Sequence, residues 1–200
     1  MNSFLVVVDM QNDFCDGALG TNEARAIVPN VVNKINEFSG HIIATLDTHG
    51  QDYLETAEGK KLPVKHCIKD THGWEINADV KSALDARGAE YVEKNTFGSV
   101  FLPTLIEEIM NADCAASGEG EVVCNGESCR FVPTADVLEH PSITIIGLCT
   151  DICVVSNALL LKAFFPEGNI AVVESCCAGV TPELHEAAMQ TMRSCHIDII

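Results

Sequence analysis

The sequence has few basic residues. Its 200 residues include 12 lysines and arginines against 29 aspartates and glutamates, which gives a formal net charge of −17. A surface that binds nucleic-acid phosphates needs a stripe of basic side chains, and none is visible in this sequence. The same negative charge disfavours an anionic membrane surface. We therefore expect neither nucleic acid nor a membrane as a partner.

The sequence also lacks a long hydrophobic run. Its longest apolar runs, residues 4–8 and 158–161, fall far short of the roughly 18 residues of a membrane-spanning helix. The first residues lack the basic start and the small-residue cleavage site of a signal peptide, so we expect a cytoplasmic protein. The ten cysteines fit a reducing compartment, because several lie in apolar stretches where a reduced thiol acts as a small hydrophobe.

No internal repeat and no interdomain linker interrupts the chain, and its length suits one domain spanning residues 1–200. Six apolar runs predict strands at 3–8, 41–46, 89–93, 142–146, 169–173 and 196–200. Helical patterns lie between them at 21–38, 78–87, 102–110, 151–165 and 182–194. This alternation predicts an α/β fold with a mainly parallel sheet. Residues 112–130 break the pattern, and the Asn125-Gly126 step predicts a hairpin insert there.

Polar residues follow four of the predicted strands. Asp9 follows the first strand, and Asp47 and His49 follow the second. Lys94 ends the third, and Cys153 lies shortly after the fourth, at the start of a predicted helix. In open α/β sheets the functional groups lie beyond the carboxyl ends of the strands, so we expect these side chains to meet at one edge.

These residue types suit attack by a thiol on an amide carbonyl. A helix start and the Lys94 ammonium are both expected to lower the pKa of Cys153. Asp9 could accept the thiol proton and pass it to a leaving amine. Backbone N–H groups between Cys149 and Cys153 could stabilise an oxyanion. The residues therefore predict acyl transfer from an amide.

Five segments together resemble the isochorismatase-like cysteine hydrolases, and within that family they are most similar to the nicotinamidases. They are residues 9–14 (DMQNDF), 47–49 (DTH), 66–67 (HC), 94–99 (KNTFGS) and 147–154 (GLCTDICV). The resemblance implies a three-layer α/β/α fold around a six-stranded, mainly parallel sheet. It implies a catalytic triad of Asp9, Lys94 and Cys153, with Cys153 as nucleophile. It also implies a cis peptide bond before Cys149, with the Cys149 and Cys153 amides forming an oxyanion hole.

The resemblance further implies one divalent metal beside the triad. Its ligands would be Asp47, His49 and His66, a histidine and carboxylate set that suits zinc, iron or manganese. Glu58 lies where some family members supply a further ligand.

The activity that the resemblance implies is metal-assisted hydrolysis of nicotinamide to nicotinate and ammonia through a thioester at Cys153. Phe14 and Trp74 are candidates for the walls of the substrate pocket. We expect a small-molecule amide as substrate, and also a homo-oligomer. One alternative is a related hydrolase of another small amide, such as an N-carbamoyl compound or ureidoacrylate. A redox module formed by Cys149 and Cys153 is a second alternative, although their Cys-x3-Cys spacing differs from the Cys-x2-Cys of thioredoxin-like proteins.

Overall fold

The computed structural model describes residues 2–118, 120–125, 128–133 and 140–200, with the backbone alone described for 121–125 and 128–133. The strands are β1 (Ser3–Val8), β2 (His41–Asp47), β3 (Glu90–Lys94), β4 (Gly120–Asn125), β5 (Ser128–Pro133), β6 (Ser142–Leu148), β7 (Asn169–Ala178) and β8 (Asp198–Ile199). The helices are α1 (Asn12–Cys15), α2 (Asn22–Glu37), α3 (Ala78–Ala86), α4 (Leu102–Ser117), α5 (Val155–Phe164) and α6 (Pro182–Ser194). No helix in these ranges is long and apolar enough to cross a bilayer.

Six strands form one parallel sheet in the order β3-β2-β1-β6-β7-β8. The central strand β1 is covered on both faces, which is why it reads as a continuous apolar run. Leu5 and Val7 pack into the layer that contains α2 and α3, whereas Phe4 and Val6 pack into the layer that contains α4, α5 and α6. The predicted three-layer α/β/α fold is confirmed.

The helix boundaries follow the capping signals. Thr21 and Thr181 precede α2 and α6, and their hydroxyls accept backbone N–H bonds from the first turn at 3.0 and 3.2 Å. Helix α4 extends about two turns beyond its predicted end at residue 110 and stops at Gly118, which has a positive φ of 76°. It continues because Cys114 extends the buried stripe of Ile106 and Met110.

The predicted hairpin insert is present, but it begins later than residue 112. Residues 112–117 belong to α4, and β4 then pairs with β5 in an antiparallel register that places Asn125 opposite Ser128. Gly126, which the sequence places at the turn with Asn125, lies outside the described residues, as does Glu127. The pair β4–β5 forms its own two-stranded sheet and adds no strand to the six-stranded one.

The segment that carries Cys153 differs from the predicted helix 151–165. The chain leaves β6 through a cis peptide bond between Leu148 and Cys149, as the resemblance implies. It then forms a π-helical turn, Thr150–Val154, before α5 begins at Val155. Cys153 therefore lies in a wide turn that precedes the regular helix.

Candidate functional site

The carboxyl edge of the sheet brings the predicted catalytic side chains together. Asp47 and Lys94 are direct partners in the β2–β3 register. Asp9 follows β1 with a positive φ of 47°, and its backbone N–H donates to the carbonyl of Thr45 at 3.2 Å. A positive φ is uncommon for residues other than glycine, although aspartate is among those that adopt it more often. This conformation turns the chain away from β1 at Asp9, and the carboxylate of Asp9 lies at the carboxyl edge of the sheet.

Asp9, Lys94 and Cys153 form one buried group around the Lys94 ammonium. The ammonium Nζ of Lys94 lies 2.7 Å from Asp9 Oδ2 and 3.6 Å from Cys153 Sγ. The hydroxyl of Thr45 donates to Asp9 Oδ1 at 2.6 Å, and both of these residues are fully buried. Each partner of Asp9 thus comes from a different strand or turn of the same edge.

Burial controls the ionisation of this group. It raises the pKa of Asp9, and neighbouring Asp47 adds to the increase, while Lys94 and Thr45 act in the opposite direction. Burial opposes the charge on Lys94, but Asp9, Cys153 and Asp47 outweigh it and raise the pKa of the ammonium. Lys94 therefore remains charged, and Asp9 is a stronger base than an exposed aspartate.

The expectation that the helix start and Lys94 lower the pKa of Cys153 is wrong in net direction. Burial raises the pKa of the thiol well above its usual value, and Asp9 adds to the increase. Lys94 does favour the thiolate, but it does not outweigh these two effects. Burial therefore favours the protonated thiol over the thiolate in this structure.

Beside this group, Asp47, His49 and His66 place their ligand atoms within 4.8 Å of one another. Asp47 Oδ2 lies 2.9 Å from His49 Nε2 and 3.6 Å from His66 Nε2. Glu58 Oε1 lies 3.8 and 3.7 Å from the same two ring nitrogens. The carbonyl of Val64 lies 2.8 Å from His66 Nδ1, which leaves Nε2 facing the cluster.

The unsatisfied atoms of this cluster fit a metal ion. His49 Nε2 is buried and has no hydrogen-bond partner among the described residues, since its short contact with Asp47 lacks the geometry of a hydrogen bond. A buried polar atom without a partner costs free energy unless something binds it. Two imidazole nitrogens and carboxylate oxygens are a donor set that suits zinc, iron or manganese. The residues present therefore fit the divalent metal that the sequence predicted.

Asp47 belongs to both halves of the site. Its Oδ1 lies 3.6 Å from Lys94 Nζ, whereas its Oδ2 faces the two histidines. Burial disfavours the charge, but the close ring nitrogens of His49 and His66 and the Lys94 ammonium hold the pKa of Asp47 below its usual range. The carboxylate is therefore ionised, as a metal ligand must be.

Two further polar residues hold the site in place, and the sequence did not assign them a role. Gln11 accepts a hydrogen bond from the Asp47 N–H at 2.7 Å and donates to the Asp47 carbonyl at 2.8 Å. Asp13 Oδ2 accepts the N–H of Cys67 at 2.8 Å, directly after His66. Both residues lie in the DMQNDF segment, so the motif itself was the signal that could have identified them.

A cavity of about 750 Å³ opens onto both halves of the site. Cys153, Asp47 and His66 reach its surface, and Phe14 forms part of its wall, as the sequence predicted. Trp74 is not among the lining residues. Its indole Nε1 instead donates to Thr48 Oγ1 at 2.8 Å, and the ring packs against the layer that contains α2. The remaining apolar lining comes from separate segments: Leu19, Ala57, Leu62, Phe97, Ile152, Val180 and Leu184.

The sequence model of the isochorismatase domain matches residues 3–116 and 136–200, nearly the whole chain on either side of the β4–β5 hairpin. The chain belongs to the isochorismatase domain family. A nicotinamidase/pyrazinamidase of Mycobacterium tuberculosis is 25% identical over 209 residues, which cover 98% of this chain and 97% of the relative.

Solved structures of family members share the fold. A nicotinamidase/pyrazinamidase of Bacillus subtilis is 21% identical with a TM-score of 0.74, covering 100% of this chain and 99% of its own. A pyrazinamidase of Pyrococcus horikoshii, solved in complex with zinc, is 22% identical with a TM-score of 0.67 and the same coverage. These likenesses show that the chain shares the fold of these structures.

Proposed function

We propose that this protein is a metal-assisted cysteine amidohydrolase that converts nicotinamide to nicotinate and ammonia. One observation carries the proposal: the buried group of Asp9, Lys94 and Cys153 shares a cavity with the Asp47, His49 and His66 cluster. The similarity along the whole chain to a nicotinamidase/pyrazinamidase supports an aromatic amide as the substrate.

In the first half of the proposed reaction, Asp9 accepts the proton of the Cys153 thiol as sulfur attacks the amide carbonyl carbon. The raised pKa of Asp9 suits this role, because a base with a pKa nearer the working pH transfers protons more effectively. Lys94 stabilises the negative charge that develops on sulfur. The C–N bond then breaks, and the amide nitrogen takes the proton from Asp9 and leaves as ammonia. The acyl group remains on Cys153 as a thioester.

In the second half, a water molecule replaces ammonia at the same position. Asp9 accepts a proton from the water molecule while the water oxygen attacks the carbonyl carbon of the thioester. The C–S bond breaks, the thiol of Cys153 regains its proton from Asp9, and the carboxylic acid product leaves. The backbone N–H groups of Cys149 and Cys153 are proposed to stabilise the oxyanion in both halves. One water is consumed, and one carboxylic acid and one ammonia are formed.

Asp47, His49 and His66 would hold the metal, with Glu58 close enough to act directly or through water. When bound, a divalent cation supplies a Lewis acid for a donor atom of the substrate, such as a ring nitrogen. A ring held at a fixed position would present its amide to Cys153 at lower entropic cost. The cluster therefore favours a pyridine or pyrazine amide over an aliphatic carbamoyl compound.

Ammonia release from purified, metal-reconstituted protein tests this proposal. Nicotinamide and pyrazinamide should be hydrolysed, whereas benzamide, which has the same ring size but no ring nitrogen, should be a much poorer substrate. Equal turnover of benzamide and nicotinamide would contradict the role of the ring nitrogen. Turnover of an N-carbamoyl compound or ureidoacrylate, with none of nicotinamide, would identify the related hydrolase instead.

We also propose that the protein works in the cytoplasm as a homo-oligomer. None of the eight cysteines whose side chains are described forms a disulfide, and six of them are buried, which suits a reducing compartment. Light scattering on the purified protein measures the oligomeric state directly, and a monomer at micromolar concentration would contradict that part of the proposal.

A further inference from the structure

A buried asparagine lies one helical turn after Cys153. Asn157 is fully buried on α5, and its side-chain Nδ2 donates to the carbonyl of Cys153 at 2.8 Å. Its Oδ1 accepts the backbone N–H of Ser99 at 2.9 Å. The same Nδ2 also lies 3.4 Å from the carbonyl of Phe97. The single amide thus contacts two segments that are far apart in the sequence.

These two segments carry two of the three proposed catalytic residues. Phe97 and Ser99 lie in the loop directly after Lys94, the last residue of β3. Cys153 lies in the π-helical turn before α5. The distance between Lys94 Nζ and Cys153 Sγ is 3.6 Å, although 59 residues separate the two positions. Asn157 joins the backbones of both segments next to that contact.

The loop approaches α5 closely at the same place. A Cβ atom on Gly98 would lie 3.1 Å from the backbone carbonyl carbon of Ser156 and 2.6 Å from Leu160 Cδ1. The first of these neighbours is backbone and adjoins Asn157, so a side chain at position 98 would push the loop away from the helix. The missing side chain of Gly98 therefore allows the short hydrogen bonds that Asn157 makes.

We propose that Asn157 is a positioning residue that sets the distance between the Lys94 ammonium and the Cys153 sulfur; this rests on the proposed cysteine hydrolase mechanism. Asn157 touches neither substrate nor the reacting atoms. Its effect comes from fixing the loop after Lys94 against the turn that bears Cys153. Stabilisation of charge on sulfur depends steeply on that distance, and a displacement of about 1 Å can cost about 100-fold in rate.

Asn157→Ala removes the side-chain hydrogen bonds to the loop after Lys94 and to the carbonyl of Cys153. We expect kcat for the amide substrate to fall about 100-fold, with KM changed by no more than about threefold, because Asn157 itself does not line the cavity. Alkylation of Cys153 by iodoacetamide at a fixed, mildly alkaline pH, followed by peptide mass spectrometry, should also slow. Asn157→Asp should recover part of the lost kcat at acidic pH, because a protonated carboxyl group offers one acceptor and one donor in the same positions.

Asn30→Ala is the matched control. Asn30 also donates a side-chain bond of 2.8 Å to a backbone carbonyl, that of Ser175, but it links neither Lys94 nor Cys153. Its kcat and alkylation rate should equal those of the unchanged protein. If Asn157→Ala does not fold, Gly98→Ala displaces the same loop by a few tenths of an ångström and should show a smaller loss of the same kind.

The outcomes separate the proposals. A lower melting temperature with unchanged kcat per folded molecule and unchanged alkylation of Cys153 would overturn the positioning role. If the unchanged protein hydrolyses none of the amides, the proposed function fails. The alkylation comparison between Asn157→Ala and Asn30→Ala still decides the positioning role, because it requires no substrate.

Discussion

The hydrogen bond from Thr45 to Asp9 offers a direct way to alter the proposed base without touching it. Thr45→Val keeps the shape of the side chain and removes the hydroxyl that donates to Asp9 Oδ1 at 2.6 Å. Both side chains are fully buried, so water cannot replace the lost donor. A hydrogen bond to a charged group contributes about 1.5–3 kcal/mol, and about 1.36 kcal/mol corresponds to one pKa unit.

The direction of the pKa change depends on which form of Asp9, ionised or protonated, the Thr45 hydroxyl stabilises. The Thr45 bond favours the ionised carboxylate and lowers the pKa of Asp9, against the larger increase caused by burial. Removing it raises the pKa of Asp9 further. If ionised Asp9 is the base, the acid limb of the kcat/KM profile moves to higher pH, as ammonia release at a series of pH values would show.

The loss of folding stability caused by Thr45→Val should also be larger at higher pH. Asp9 has a raised pKa in the folded protein, so its contribution is fully present below the unfolded pKa and is lost as pH rises through the folded pKa. The deficit of Thr45→Val in urea unfolding should therefore be about 1.5–3 kcal/mol above that pKa and about 0.5–1.5 kcal/mol below it. Thr144→Val, a change of the same type in β6, is the control. An acid limb that does not move would show that Asp9 is not the group that controls the rate.

Three further predictions concern single side chains. Cys153→Ala should abolish turnover and the covalent acyl adduct seen by mass spectrometry, whereas Cys149→Ala should keep a substantial part of the activity; an active Cys153→Ala enzyme would rule out the thioester. His49→Ala should lose the bound metal in elemental analysis while Lys94-assisted alkylation of Cys153 persists, and full metal content in this variant would remove His49 from the ligand set. Phe14→Ala should raise KM several-fold and Trp74→Phe should leave it unchanged, because Phe14 lines the cavity and Trp74 does not; the opposite order would contradict the observed cavity.

The features that were predicted best are those that depend on local sequence pattern. Apolar runs identified the six parallel strands, and the residues after those strands identified Asp9, Asp47 and Lys94, because parallel strands bring their carboxyl ends to one edge. The cap Thr181 and the first-turn Pro182 identified α6 at its observed bounds. These features need no knowledge of distant contacts.

The parts that the sequence missed depend on contacts between distant segments. The net effect on the pKa of Cys153 is set by how deeply the sulfur is buried, which no spacing reveals. Thr45 looks like an ordinary strand residue until the turn at Asp9 brings the carboxylate against it. Trp74 precedes β3 by a helix and a loop, and its side chain could have faced either the cavity or the layer behind the sheet edge. Only the tertiary structure distinguishes the two.

The carboxylate of Asp47 has a consequence for attempts to redesign this enzyme. One of its oxygens faces the Lys94 ammonium and the other faces the two histidines, so the two groups share a single delocalised charge. By thermodynamic reciprocity, if an interaction at one oxygen changes the binding free energy at the other, the second interaction changes the first by the same free energy. In the proposed metal site, a change of metal preference made at Asp47 would therefore also change how Lys94 supports the proposed nucleophile.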